Sequence, residues 1–151
     1  MRIDKRSVGF FLGALAIVVA LQLFIQGKAE DKDVKFCRNL FIQLVKGSAD
    51  VAGFIDWEHF RALESDIGAE YIKLTDSKDK ADYRNAFVKA FAVGFNYFNG
   101  RANIFTNWRV YSRNDERIII ACEHARYHKT FLFTFSKSGQ KKKLISLEMK
   151  K

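Results

Sequence analysis

The chain has 151 residues, 48% of them hydrophobic and 15% aromatic, with two cysteines and no proline. That length holds one ordinary domain, and 28% charged residues beside ample Phe, Ile and Leu exclude a disordered chain. Two cysteines exclude both a disulfide-dense mini-protein and a four-cysteine zinc site. The formal charge of +9 is uneven, because residues 137–151 hold six lysines against Glu148 while residues 28–136 carry a net of only +2. A near-neutral body with a basic end is not the pattern of a nucleic-acid binder, so no nucleic-acid partner is expected.

Val8 to Ile25 reads VGFFLGALAIVVALQLFI, 18 residues without a charge. As a helix it would be about 27 Å long, close to the hydrocarbon thickness of a bilayer. Val8, Phe11, Leu15, Val19, Leu23 and Ile25 would then anchor it among the acyl chains. Arg2, Lys5 and Arg6 precede the run, which by the positive-inside rule places residues 1–7 in the cytoplasm and everything after 27 outside it. The competing reading is a cleaved signal, since Gly27-Lys28-Ala29 sets small residues where a signal peptidase inspects them. Either way the expected organisation is a cytoplasmic start (1–7), a membrane anchor or signal (8–25), a linker (26–33) and an exported domain (34–151). The expected location is the cytoplasmic (inner) membrane, single-pass, with the carboxyl-terminal domain periplasmic.

The first third of that domain has helical periodicity. Cys37, Leu40, Phe41, Leu44, Val45 and Ser48 form one stripe that stops near Gly47. Asp56 is placed to cap a short helix from Trp57 to Leu63, and another short helix is expected over Ala69 to Leu74. Thr75-Asp76-Ser77 then caps a long helix from about Lys80 to Phe98, along which Tyr83, Phe87, Phe91, Phe95 and Phe98 recur at spacings of three and four. Asn99-Gly100 ends it.

Beyond Gly100 the period becomes two. Ile104–Ser112, Ile118–His124, Lys129–Phe135 and Lys143–Met149 read as strands, joined by hairpin-length turns at 113–116 and 136–140. Phe131, Phe133 and Phe135 share one face, and Ile145, Leu147 and Met149 alternate with Leu144, Ser146 and Glu148. Helices first and a meander afterwards predict an α+β domain with helices packed on a four-stranded antiparallel sheet. The long helix is expected to lay its Phe stripe against Phe131, Phe133 and Phe135.

This order resembles the nuclear-transport-factor-2-like, or cystatin-like, superfamily, in which a curved sheet wraps a long helix and a cavity opens between them. A local likeness is carried by Asp50-x3-Phe54-Ile55-Asp56-Trp57 and by Tyr83-Arg84-Asn85-Ala86-Phe87-Val88-Lys89-Ala90-Phe91. It is similar to the helical wall of the lipid pocket in the periplasmic phospholipid-carrier (toluene-tolerance) family. The first resemblance implies a membrane-held assembly part, the second a carrier of phospholipid.

The site these readings define is an apolar cavity lined by Phe87, Phe91, Phe95, Phe131, Phe133 and Phe135; a close-packed core wants the same residues. Cys37 and Cys122 pair only if their Cα atoms come within about 7 Å, and two buried thiols are the alternative. His124 and His128 flank a turn beside Glu123, without a third metal ligand, and solvated side chains are expected there. Asp56, Glu58 and Glu70 have no spacing that sets an acid against a base, and no nucleophile or phosphate-loop motif is present, so neither enzyme activity nor a cofactor is expected. Lys141-Lys142-Lys143 opens the last strand, for solubility and edge protection or as a contact for anionic headgroups or an acidic partner. The expected function is a non-enzymatic, membrane-anchored module that contacts a protein partner or itself, with a carrier or sensor of phospholipid or another apolar ligand as the alternative.

Overall fold

Asp31 starts the fold. Its side chain accepts the Asp33 N–H at 2.8 Å and opens helix α1, Lys32–Val45, in this computed structural model. The structure describes residues 30–99, 101–137 and 141–150. The expected anchor, Val8–Ile25, therefore lies outside the described residues, as do the side chain of Phe98, the helix stop at Gly100 and the turn residues 138–140. No described helix is long and apolar enough to cross a membrane.

Of the expected stripe on α1, Cys37, Leu40, Phe41, Leu44 and Val45 are buried at 5% exposure or less and Val34 joins them, while Ser48 lies beyond the end of the helix and is half-buried. Gly47 ends the helix at φ +71°, and an added Cβ there would sit 3.3 Å from the Ala92 Cβ, so the left-handed turn also admits a neighbouring helix. A 3-10 turn, Ala49–Phe54, leads to Ile55, which bridges in parallel to Leu144.

The helix expected over Trp57–Leu63 is not formed. Trp57–His59 is a turn, and Arg61–Ala62 is strand β1, paired antiparallel with β2 (Ser65–Asp66) and in parallel with Ser146 and Leu147. Leu63 and Glu64 take positive φ to close that hairpin, which no helix accommodates. Helix α2 follows at Ile67–Tyr71, earlier than expected, because the Asp66 side chain accepts the Ala69 N–H at 3.0 Å. Close approach sets this start: Gly68 N–H donates to the Phe60 carbonyl at 2.9 Å, and a Cβ on Gly68 would lie 2.4 Å from the Glu58 carbonyl oxygen. The long helix α3 spans Ser77–Asn99, with the Asp76 carboxylate accepting from Lys78 and Asp79 N–H groups.

After a 3-10 turn, Ala102–Ile104, come β3 (Phe105–Arg113), β4 (Arg117–His124), β5 (Lys129–Ser136) and β6 (Lys143–Lys150). The four-stranded meander is present but is only part of the sheet, which is six-stranded and mixed, in the order β2-β1-β6-β5-β4-β3. Strand β6 is consequently interior, so Lys141–Lys143 do not guard an edge. Lys142 instead pairs with Asp33.

The layering also differs from expectation. Helix α1 lies along the strands, whereas α3 reaches them through Phe95, whose ring meets Phe105 of β3 at 5.5 Å. Phe41 holds Phe133 at 5.3 Å and Phe105 at 5.0 Å on the sheet side and Phe95 of α3 at 5.3 Å on the other. Asn96 of α3 donates to the Val45 carbonyl at 3.0 Å, tying α3 to the end of α1. Farther along, Tyr83 and Phe87 pack on Trp57, and Phe87 also meets Phe60. At the other end of α1, Arg113 donates to Asp31 (2.9 Å) and Asp33 (2.8 Å), which clamps the helix to β3. A bulge in β6 places both Leu144 and Leu147 in the core, opposite Phe135 and Phe133, and turns Ile145 outward, contrary to strict alternation.

Candidate functional site

The six phenylalanines proposed as a cavity wall are packed on other rings, and Phe105 links the two rows by meeting Phe95 at 5.5 Å and Phe131 at 5.1 Å. Phe133 and Phe135 are 2% and 1% exposed and meet Phe41 and Phe36 of α1; Phe131 is half-buried and meets Phe105 at 5.1 Å. Phe95 is 8% exposed, Phe91 stacks on it at 6.0 Å, and Phe87 belongs to the Trp57 cluster. Most of these contacts are edge-to-face or tilted, the geometry of rings packed against each other. Helix α1 occupies the region between the two rows.

Cys37 and Cys122 are both fully buried free thiols, on the facing surfaces of α1 and β4. Burial raises the Cys37 thiol well above its ordinary range, and Cys122 adds to the rise, so the two groups feel each other. Burial likewise pushes Cys122 up to about 12. Neither thiolate forms near neutral pH, and reactivity follows the thiolate. The native protein should therefore leave Ellman's reagent unreduced over minutes, and release two equivalents once unfolded without reductant. No release after unfolding would mean that the pair is bridged.

His124 is 1% exposed, not solvated as expected. Its Nδ1 accepts the N–H groups of Arg126 and Tyr127, each at 3.2 Å, and so caps the β4–β5 turn; its ring lies against Phe105 and Tyr127. His59 pairs with Asp56 at 3.1 Å and Glu70 with Lys73 at 2.7 Å, both at the surface. No cluster of three or more His, Cys, Asp or Glu suited to a metal is found among the described residues.

The open feature lies on the opposite face of the sheet. Pairing sets Arg61 beside Ser146, Ser146 beside Thr134, and Thr134 beside Ile119, a row that crosses four strands. Toward the β4–β5 turn the outer face is covered by its own side chains. There Lys150 lies over the Tyr111 ring at 5.4 Å, Arg109 pairs with Glu123 at 2.9 Å, and Ala121 beneath them is fully buried. Toward the other end the face is uncovered and forms a groove of about 510 Å³ with a floor of Ile119, Thr134, Ile145 and Ser146. Asp56, His59, Arg61, Arg117 and Glu148 stand around it, and a smaller hollow of about 380 Å³ continues past Arg61 and Glu148 to Met149. Arg61, Arg117 and Glu148 form no ion pair among the described residues. Two guanidinium groups without an ion pair among the described residues, hydroxyls and two half-exposed isoleucines are the makings of a recognition surface.

Comparison of the chain with protein-family models, with curated proteins and with solved structures finds no match.

Proposed function

We propose that this chain is a non-enzymatic binding or assembly module. In this reading Val8–Ile25 holds it in the cytoplasmic membrane by a single pass, the α+β domain stands on the extracytoplasmic side, and the open half of the outer sheet face receives a protein partner. One observation carries it: the sheet screens half of its outer face with its own side chains and leaves the other half as a groove with unpaired charges. The order of elements, helices first and then an antiparallel meander, is what supports the nuclear-transport-factor-2-like architecture. A photo-crosslinking amino acid at Thr134, installed in the full chain in cells, should give a discrete partner adduct that is absent when the same group replaces Asp82 on the exposed side of α3. Absence of an adduct from both Thr134 and Ile119 would sink the reading.

The phospholipid carrier keeps the aromatic stripe of α3 as its support. The ring contacts of Phe41 on both sides weigh against it, because an acyl chain needs the volume that α1 occupies. Native mass spectrometry separates the two, since a carrier retains a lipid mass through purification.

A further inference from the structure

We infer that the outer-face groove takes an extended acidic segment of its partner, with carboxylates at positions i and i+4 and an apolar residue at i+2. The inference rests on the proposal that this groove is a protein-binding face, and it names the chemistry of the partner. Among the described residues Arg61 and Arg117 are the groove's arginines without an ion pair, three strands apart across the sheet and two residues apart along it. Strand spacing places their Cα atoms about 16 Å from each other. An extended segment spans about 13 Å from i to i+4, and its i, i+2 and i+4 side chains point to one side. With both arginines leaning inward, two carboxylates so spaced reach the guanidinium groups together. The residue between them lands on Ile119 and Ile145, the apolar part of the floor.

The floor also suits a backbone. Among the described residues Thr134 and Ser146 make no hydrogen bond to another side chain, and they lie between the strands of the two arginines, where their hydroxyls can donate to peptide carbonyls or accept from N–H groups. Asp56 is engaged with His59 at 3.1 Å, so the acids that oppose the ligand at the Arg61 end are Glu148 in the groove and Glu64 in the adjoining hollow. Glu148 lies two residues beyond Ser146 on β6 and borders Arg61 in both hollows, so it limits affinity and selects against a further acid at that end.

The test uses the full chain in phosphatidylcholine nanodiscs and fluorescence anisotropy of a capped peptide, Glu-Ser-Val-Ser-Glu, carrying an uncharged dye. The control is Gln-Ser-Val-Ser-Gln. The acidic peptide should bind about tenfold tighter than the control, and Arg61→Gln and Arg117→Gln should each weaken it about three- to fivefold, the range for solvent-accessible charge pairs. Glu148→Gln should tighten it, and about 0.5 M salt should remove most of the preference. Equal binding of both peptides, abolished by Thr134→Arg, would overturn the acidic rule while leaving the groove a binding face. So would arginine variants with unchanged affinity for the acidic peptide. Binding of neither peptide would overturn the inference and the groove reading together.

Discussion

Replacing Phe41 with alanine should destabilise the domain by about 3–5 kcal/mol, the largest loss expected from any single truncation in the helix–sheet layer. Phe41 is 2% exposed and contacts rings on four sides: Phe95 from α3, Phe105 and Trp108 from β3, and Phe133 from β5. Burying a phenylalanine contributes about 1.5–3 kcal/mol through apolar area alone, and the vacated volume adds lost dispersion because four aromatic neighbours cannot all collapse into it. Trp108, 5.8 Å from the Phe41 ring, gives a fluorescence signal for denaturant unfolding at the site itself. The size of the loss also distinguishes a filled interior from a ligand cavity. If open space already adjoined Phe41, its removal would merely enlarge that space, and the loss would fall below about 2 kcal/mol with no change in unfolding slope. A loss at the upper end, together with new binding of a small apolar probe such as benzene, would mean that the ring itself had filled the space.

The position of Phe41 also shows what the sequence could convey. The α1 stripe from Cys37 to Val45 and the four long strands were legible because each repeats its period several times. The strands stand where that period puts them, with ends shifted by at most one residue, and β6 departs from it at its bulge. The layer order was not legible. Helices α1 and α3 both carry apolar stripes with phenylalanine, and nothing local says which lies against the sheet. That is decided by tertiary contacts such as Arg113 to Asp31 and Asn96 to Val45, which join residues 82 and 51 apart. Strands β1 and β2 have two residues each, too few to show a period, and exist because β6 offers Ser146 and Leu147 as partners. The β6 bulge is a one-residue slip that periodicity alone reads past. The outer groove left the faintest trace, since its lining is drawn from β1, β4, β5, β6 and the turn before β1, and Arg, Ser and Thr at those positions look like ordinary solvated surface. Its one signal was the outward isoleucine: Ile119 alternates with buried Ile118 and Ile120, where a fully solvated face would carry a polar residue.

His124 should make the domain less stable as pH falls through the histidine range, and removing its titration should remove that slope. Two accepted N–H bonds place its ring proton on Nε2, which is buried without a hydrogen-bond partner among the described residues. Protonating Nδ1 would break both bonds and set a charge among Phe105 and Tyr127. Burial, aided by the neighbouring Arg126 charge, accordingly holds the His124 pKa below its ordinary value of 6.5. With the folded value below the unfolded one, the unfolded chain binds the extra proton first. Stability is therefore flat above about pH 6.5, declines below it by at most about 1.4 kcal/mol per pH unit, and flattens again once the folded value is passed. Asp31 and Glu123 add their own losses only at lower pH, since hydrogen bonds from Arg113 and from Asn107 and Arg109, respectively, hold their carboxyls below the ordinary carboxylate range. The experiment is urea denaturation at intervals between pH 8 and 5 for the native chain, His124→Asn and His124→Leu. Asparagine can accept the same turn N–H groups without titrating, so it should keep most of the stability and lose the slope. Leucine leaves the N–H groups of Arg126 and Tyr127 unpaired and should lose about 1–3 kcal/mol at every pH. An asparagine variant with the native slope would place the titration elsewhere and reduce His124 to a packing residue. A flat native profile would mean that the turn opens far enough to hydrate the imidazolium, and in that case amide exchange at Arg126 and Tyr127 should be fast while that of β4 stays slow.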